Sequence, residues 1–194
     1  MTFAAVAQNS GPLQKFYDSL EDSSLELSYT YSARVSGVQN RGAGDLLCQG
    51  AMWKAKGNGV EMYCDAVSVW VVDTEMKEVV IESAADGNSS DFMTNPALML
   101  TRLPEKFDVT VTRLLEDGVT MLYTLRPKSA IGFDYFNVEL DKSSSLLKRA
   151  SFAMSDGTLV KIEVSSMKLT PKVSVEAFRP ATVFDSQWIV TDLR

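Results

Sequence analysis

The sequence predicts a mainly β domain: one antiparallel sheet of about eleven strands in hairpin order, with two short helices. Three observations carry this. Residues 25–36 alternate strictly, Leu25, Leu27, Tyr29, Tyr31, Ala33 and Val35 against Glu26, Ser28, Thr30, Ser32, Arg34 and Ser36, the period of a strand with one dry and one wet face. The turn pairs Asp117-Gly118 and Asp156-Gly157 separate further alternating runs. Helical spacing of apolar residues occurs in only two short stretches, near 12–21 and 96–103.

In chain order, Asn9-Ser10-Gly11-Pro12 opens a helix whose stripe is Leu13, Phe16, Tyr17 and Leu20. The strand over 25–36 follows. Residues 36–45 are rich in Gly, Ser, Asn and Asp and read as a loop. Strands are expected at 46–56, 60–65, 67–73 and 77–83, with Lys56-Gly57-Asn58-Gly59 turning between the first two. Residues 84–91 are polar. Asn95-Pro96 starts the second helix, which carries Leu98, Met99, Leu100 and Leu103 and closes at Pro104. Alternation in 107–112 and 119–125 gives a hairpin, 133–141 and 146–154 another, and 158–169, 172–178 and 187–193 the closing strands.

The chain has 194 residues, one domain's worth. Its formal charge of −6 disfavours nucleic acid as a partner. It contains no histidine, which removes histidine-based nucleophilic catalysis, histidine general bases and most zinc sites. Ser145-Leu146-Leu147-Lys148 has an S-x-x-K spacing, but in a hairpin turn and without a K-T-G partner. No enzyme, metal or cofactor is expected. The longest apolar runs are about four residues against the ~20 of a membrane-spanning helix. Met1-Thr2-Phe3-Ala4-Ala5-Val6-Ala7 ends in an A-x-A pattern. It reads as the tail of an export signal over 1–7 or as an unstructured N-terminus, with 8–194 a single domain. In an oxidising compartment Cys48 and Cys64 are either a disulfide or two buried free thiols.

The unusual enrichment is in methionine: Met52, Met62, Met76, Met93, Met99, Met121, Met154 and Met167 recur along the sheet and helices. A large curved sheet with two helices has a concave face that either packs solid or holds a greasy ligand. Leu13, Phe16, Leu27, Tyr29, Tyr31, Trp53, Met62, Trp70, Leu98, Met99 and Leu103 are expected to form that apolar interior and its lid.

Several local patterns, in order, resemble the LolA-type periplasmic outer-membrane lipoprotein carriers. Gly50-Ala51-Met52-Trp53-Lys54-Ala55-Lys56 resembles the family's Gly-x-Leu-Trp strand ending in a basic residue. Cys64-Asp65 through Val69-Trp70-Val71-Val72-Asp73 resembles its Asp-Gly-x-x-x-Trp-x-Tyr strand, Asn95-Pro96-Ala97-Leu98-Met99-Leu100 its lid helix, and Phe178-Arg179-Pro180 its closing Phe-x-x-Pro region. The chain departs from the family at Lys56-Gly57, where Arg-Pro is usual, at Ala66, where Gly is usual, and at Val72, where an aromatic is usual; it looks like a divergent member of the LolA-like group in Bacteroidetes.

The resemblance implies an incomplete, half-open barrel with helices as a lid on the concave side. It implies an apolar cavity for lipoprotein acyl chains or another lipid-like ligand, and Lys56 as the residue tying barrel to lid. It implies a periplasmic monomer that meets an inner-membrane release complex and an outer-membrane acceptor. The alternative is a non-carrier lipid-sensing or protein-interaction module of the envelope on the same scaffold.

Overall fold

The structure, a computed structural model, describes residues 11–57, 59–84, 100 and 103–194. The expected export-signal segment, Leu98 and Met99 lie outside the described residues. One sheet of 12 strands dominates, in the order β12-β6-β5-β4-β3-β2-β1-β11-β10-β9-β8-β7. Every described pairing is antiparallel except β12 with β6. The two edge strands do not pair with each other, so the sheet stays an open half-barrel.

Helix α1 (Pro12–Glu21) begins as its sequence dictates, with Pro12 in the first turn and Gly11 as an extended N-cap. Leu13, Phe16 and Leu20 are buried, each worth about 1.5–3 kcal/mol relative to exposure. The helix lies inside the curl, in one apolar cluster with residues from β1–β4 and β7–β10. The strands are β1 (Ser23–Val35), β2 (Val38–Gln49), β3 (Met52–Gly57), β4 (Val60–Cys64), β5 (Ser68–Asp73) and β6 (Glu78–Ser83). A single-turn helix, α2 (Leu103–Lys106), leads into β7 (Phe107–Leu114), β8 (Thr120–Pro127), β9 (Phe133–Asp141), β10 (Leu147–Met154) and β11 (Leu159–Pro171). A 3₁₀ turn (Val175–Phe178) and β12 (Ile189–Asp192) end the chain.

Four local expectations are corrected. Residues 38–45 are not a loop but most of β2, reached through a two-residue turn, Ser36-Gly37, with φ of +50° and +82°. Residues 46–56 are not one strand: Gly50, at φ +59°, turns the chain between β2 and β3, where Gln49 pairs with Met52. Pro104 lies inside α2 instead of ending a helix, consistent with proline's fit to a first helical turn. In the closing region, 172–178 holds the 3₁₀ turn where a strand was expected.

The sheet has two apolar faces. The concave one holds the main cluster, to which Leu25, Leu27, Leu46, Cys48, Trp53, Cys64, Leu125, Val138 and Leu140 contribute. On the convex side of β4–β6, Tyr63, Val72, Val79 and Ile81 are buried, with Trp70 packed against them. Phe184 and Trp188, edge to face at 5.1 Å, belong to the same cluster, so the C-terminal segment straps this second face.

Candidate functional site

Register decides which side chains meet on the concave face. Across β1 and β2, Leu27 pairs with Leu46, Tyr29 with Gly44 and Tyr31 with Gly42. Paired residues share a face, so both tyrosine rings project toward positions that carry no side chain. On the other side of β1, Tyr31 pairs with Ile162 of β11, which also carries Val160. A bulge at Ser165, whose hydroxyl donates to the Ser28 carbonyl at 3.0 Å, keeps Val164, Ile162 and Val160 on the side of Tyr29 and Tyr31.

Most of these residues border a half-open apolar cavity of about 230 Å³. Its walls are Leu27, Tyr29 and Tyr31 from β1, Leu46 from β2, Phe136 from β9, Leu147, Ala150 and Phe152 from β10, Val160 and Ile162 from β11, and Leu100. Among the described residues no lining side chain is charged, and the two tyrosine hydroxyls are the side-chain polar atoms. Phe136 and Phe152 stack at 5.5 Å, and Phe133 meets Phe152 edge-on at the same distance, so the β9–β10 wall is rigid aromatic surface. Burial raises the pKa of the Tyr29 phenol, with smaller contributions from Tyr31 and Asp45, so it stays neutral at physiological pH.

Beyond the tyrosines lies a second hollow of about 160 Å³, bordered by Tyr29, Tyr31, Ala43, Ala55, Lys56, Gly57, Val60 and Met62. A wider groove of about 530 Å³ runs along the other flank of α1, beside β7 and β8. Asp108, Lys128, Gln14 and Thr112 interrupt its walls. The cavity under the tyrosines is therefore the better apolar site.

The expected residues divide into three groups. Leu27, Tyr29 and Tyr31 line the cavity, and Met62 lines the adjoining hollow. Leu13, Phe16, Trp53 and Leu103 are buried in the cluster beneath α1 and α2, and serve as core. Trp70 is a correction, and Lys56 borders the hollow with its side chain turned to the other face. Cys64 and Met62 of β4 face the concave side, so Tyr63, between them, and its partner Trp70 face the convex one. Lys56 alternates with the inward Ala55 on β3, so its ammonium also sits on the convex side, paired with Glu61. Sequence reasoning missed Phe136, Phe152 and Ile162. Alternation in 133–141 signals Phe136, Val138 and Leu140, but the register shift near Phe133 hides which face they occupy.

The cysteines are free and buried. Cys48 pairs with Trp53, and Trp53 with Cys64, so the indole stands between the two sulfurs. Two strand spacings, about 9–10 Å, separate their backbones, against the ~4.4–6.8 Å a disulfide spans. Of the two alternatives, the free thiols are what the fold forms. Burial pushes the Cys48 thiol up to about 12.

Asp65 directly follows β4. Its carboxylate, 3% exposed, accepts from the backbone N–H of Val67 at 3.0 Å, the N–H of Ser68 at 2.9 Å and Arg179 Nε at 2.7 Å. Burial alone would raise its pKa; the Ser68 N–H, Arg179 and the Val67 N–H outweigh that and hold it below the usual carboxylate range. This pair joins two resembling motifs, Cys64-Asp65 and Phe178-Arg179-Pro180, and Phe178 is fully buried beside it. Among the described residues there is no cluster that could hold a metal ion, and no helix is long and apolar enough to cross a membrane.

No curated protein matches the sequence. Among solved structures, an uncharacterized conserved protein from Thermus thermophilus aligns with a TM-score of 0.57 at 14% identity, over 93% of this chain and 96% of the other. A LolA superfamily protein from Nitrosomonas europaea aligns at 0.47 and 11% identity, over 91% and 99%. A putative outer membrane lipoprotein-sorting protein domain from Vibrio parahaemolyticus aligns at 0.45 and 11%, over 87% and 96%. The family model of the outer membrane lipoprotein carrier protein LolA matches residues 55–181, from the inward-facing Ala55 of β3 to just past the Phe178-Arg179 closure. That span is well over half of the chain, and with an open, single-sheet half-barrel around an apolar cavity it makes this protein a divergent member of the LolA family.

Proposed function

We infer that the chain is a periplasmic envelope protein that binds acyl chains of a lipoprotein, or a similar lipid-like ligand, in the concave trough and carries them toward the outer membrane. The observation that supports this best is a cavity whose described lining side chains bear no charge and no hydrogen-bonding group beyond two tyrosine hydroxyls. Such walls suit a methylene chain and offer nothing to bind a polar metabolite. Each methylene moved from water into the trough contributes about 0.8 kcal/mol. About ten of them reach the micromolar range before the costs of ordering are subtracted. The trough provides binding and needs no catalyst. An inner-membrane release complex and an outer-membrane acceptor are the partners this role requires.

The size of the cavity favours a second reading. About 230 Å³ is below the ~300–1,000 Å³ of typical small-molecule sites, which suits a module that senses a single chain or docks a protein. Native mass spectrometry of protein purified from its own host separates the two. Co-purifying lipid or acylated peptide is the carrier's result. A clean apo mass, together with no uptake of a fluorescent acyl probe, refutes lipid carriage and leaves the interaction module.

A further inference from the structure

Three inner-face positions at one end of the sheet carry no side chain: Gly42 and Gly44 on β2, and Gly57 on β3. Glycine inside a strand weakens it by roughly 0.5–1 kcal/mol relative to alanine, so a bare strip needs a reason. The neighbouring atoms supply one. A Cβ on Gly42 would lie 2.6 Å from Cε1 of the Tyr31 ring, and one on Gly44 would lie 2.9 Å from the Tyr29 hydroxyl. The two rings, 6.5 Å apart and tilted 44° to each other, occupy the space over the bare backbone of the adjacent strand.

Those same rings border both voids: the cavity of about 230 Å³ on the β9–β11 side and the hollow of about 160 Å³ on the β3–β4 side. Neither alone reaches the lower end of the usual ligand-site range; together they do. The tyrosines are half-buried, and their hydroxyls can stay in contact with water while the rings turn.

We propose that Tyr29 and Tyr31 are a movable divider that splits one acyl trough into two, and that lifting the rings off the glycine strip sets the chain length the protein accepts. This rests on the lipid-binding reading above. An incoming methylene chain replaces the rings on the glycine floor, so the ligand restores the packing that the aromatic faces give up. A short chain fills the first cavity with the divider closed, and a long chain needs it open.

The test is displacement of a fluorescent acyl probe by saturated fatty acids of about 8 to about 18 carbons. In the unmodified protein, affinity should rise by about fourfold per buried methylene and then level off where the divider stops the chain. Tyr31→Ala and Tyr29→Ala should move that plateau to longer chains. Tyr31→Phe should leave it in place, because ring volume and not the hydroxyl divides the trough. A second readout needs no variant: in ¹³C-labelled protein, nuclear Overhauser contacts from the Tyr31 ring to Gly42 and from the Tyr29 ring to Gly44 should be lost with long chains and kept with short ones. Probe binding with an unchanged plateau in both alanine variants, or rings that do not respond to long chains, overturns the divider and leaves lipid binding standing. No binding at any length in any form overturns both.

Discussion

Replacing Asp65 by alanine removes a carboxylate that closes the β4–β5 turn and holds the C-terminal segment. Two of its three partners are backbone N–H groups, of Val67 and Ser68, at 3.0 and 2.9 Å. Hydrogen bonds to a charged acceptor contribute about 1.5–3 kcal/mol each. The third, Arg179, is 49% exposed, which places its share near the ~0–1 kcal/mol of solvent-screened pairs. Asp65→Ala is therefore expected to destabilise by about 3–5 kcal/mol, and Arg179→Ala by about 1 kcal/mol. Urea unfolding measures this as a fall in midpoint at unchanged slope. The coupling between the two substitutions in a double-mutant cycle should not exceed about 1 kcal/mol. The pH dependence follows from the direction of the shift. The folded-state value of Asp65 is depressed below 3.8, so its contribution is complete above that value and lost as pH falls through the folded-state value. The gap between wild type and Asp65→Asn should hold from neutrality down to about pH 4 and close in stronger acid. An Asp65→Ala loss no larger than that of Arg179→Ala would show that the turn is not held by this carboxylate.

The thiols give a second prediction. With Cys48 raised to about 12 and Cys64 also raised, chiefly by burial, neither should react with a thiol reagent at pH 8 in the native protein. Both should react in denaturant with no reductant added, and early reaction of either would mean that the cluster around Trp53 opens locally. The glycine strip gives a third. At Gly44 an added Cβ would meet the Lys56 carbonyl oxygen at 2.8 Å, which is backbone, whereas at Gly42 its nearest neighbours are side-chain atoms of Tyr31. Gly44→Ala should cost about 1–3 kcal/mol and Gly42→Ala clearly less, read as thermal midpoints; equal losses would show that the Tyr31 ring does not give way.

Where a pattern depends on neighbours in sequence, the chain declared it. Thirteen residues of β1 form the strand that strict alternation announces, because a period of two is a local property of an extended backbone. Helix α1 starts and stops within Pro12–Glu21 for reasons all contained in that stretch: a proline, an apolar stripe and no further stripe after Leu20. The antiparallel sheet and the resemblance at Trp53, Asp65 and Phe178 were likewise readable, since each rests on short runs of residues.

What tertiary structure alone decided is register and side. Gly50 at φ +59° is an ordinary strand glycine until the chain turns there, and that turn leaves Cys48 and Cys64 on either side of Trp53. A shift of one residue exchanges the two faces of a strand, so Trp70 suits the cavity by composition until the pairing of β4 with β5 turns it outward. The glycines of β2 spell a loop in one dimension. They make a strand in three, because the volume they lack is filled by rings that arrive from β1. No local pattern encodes a partner across a sheet; packing does.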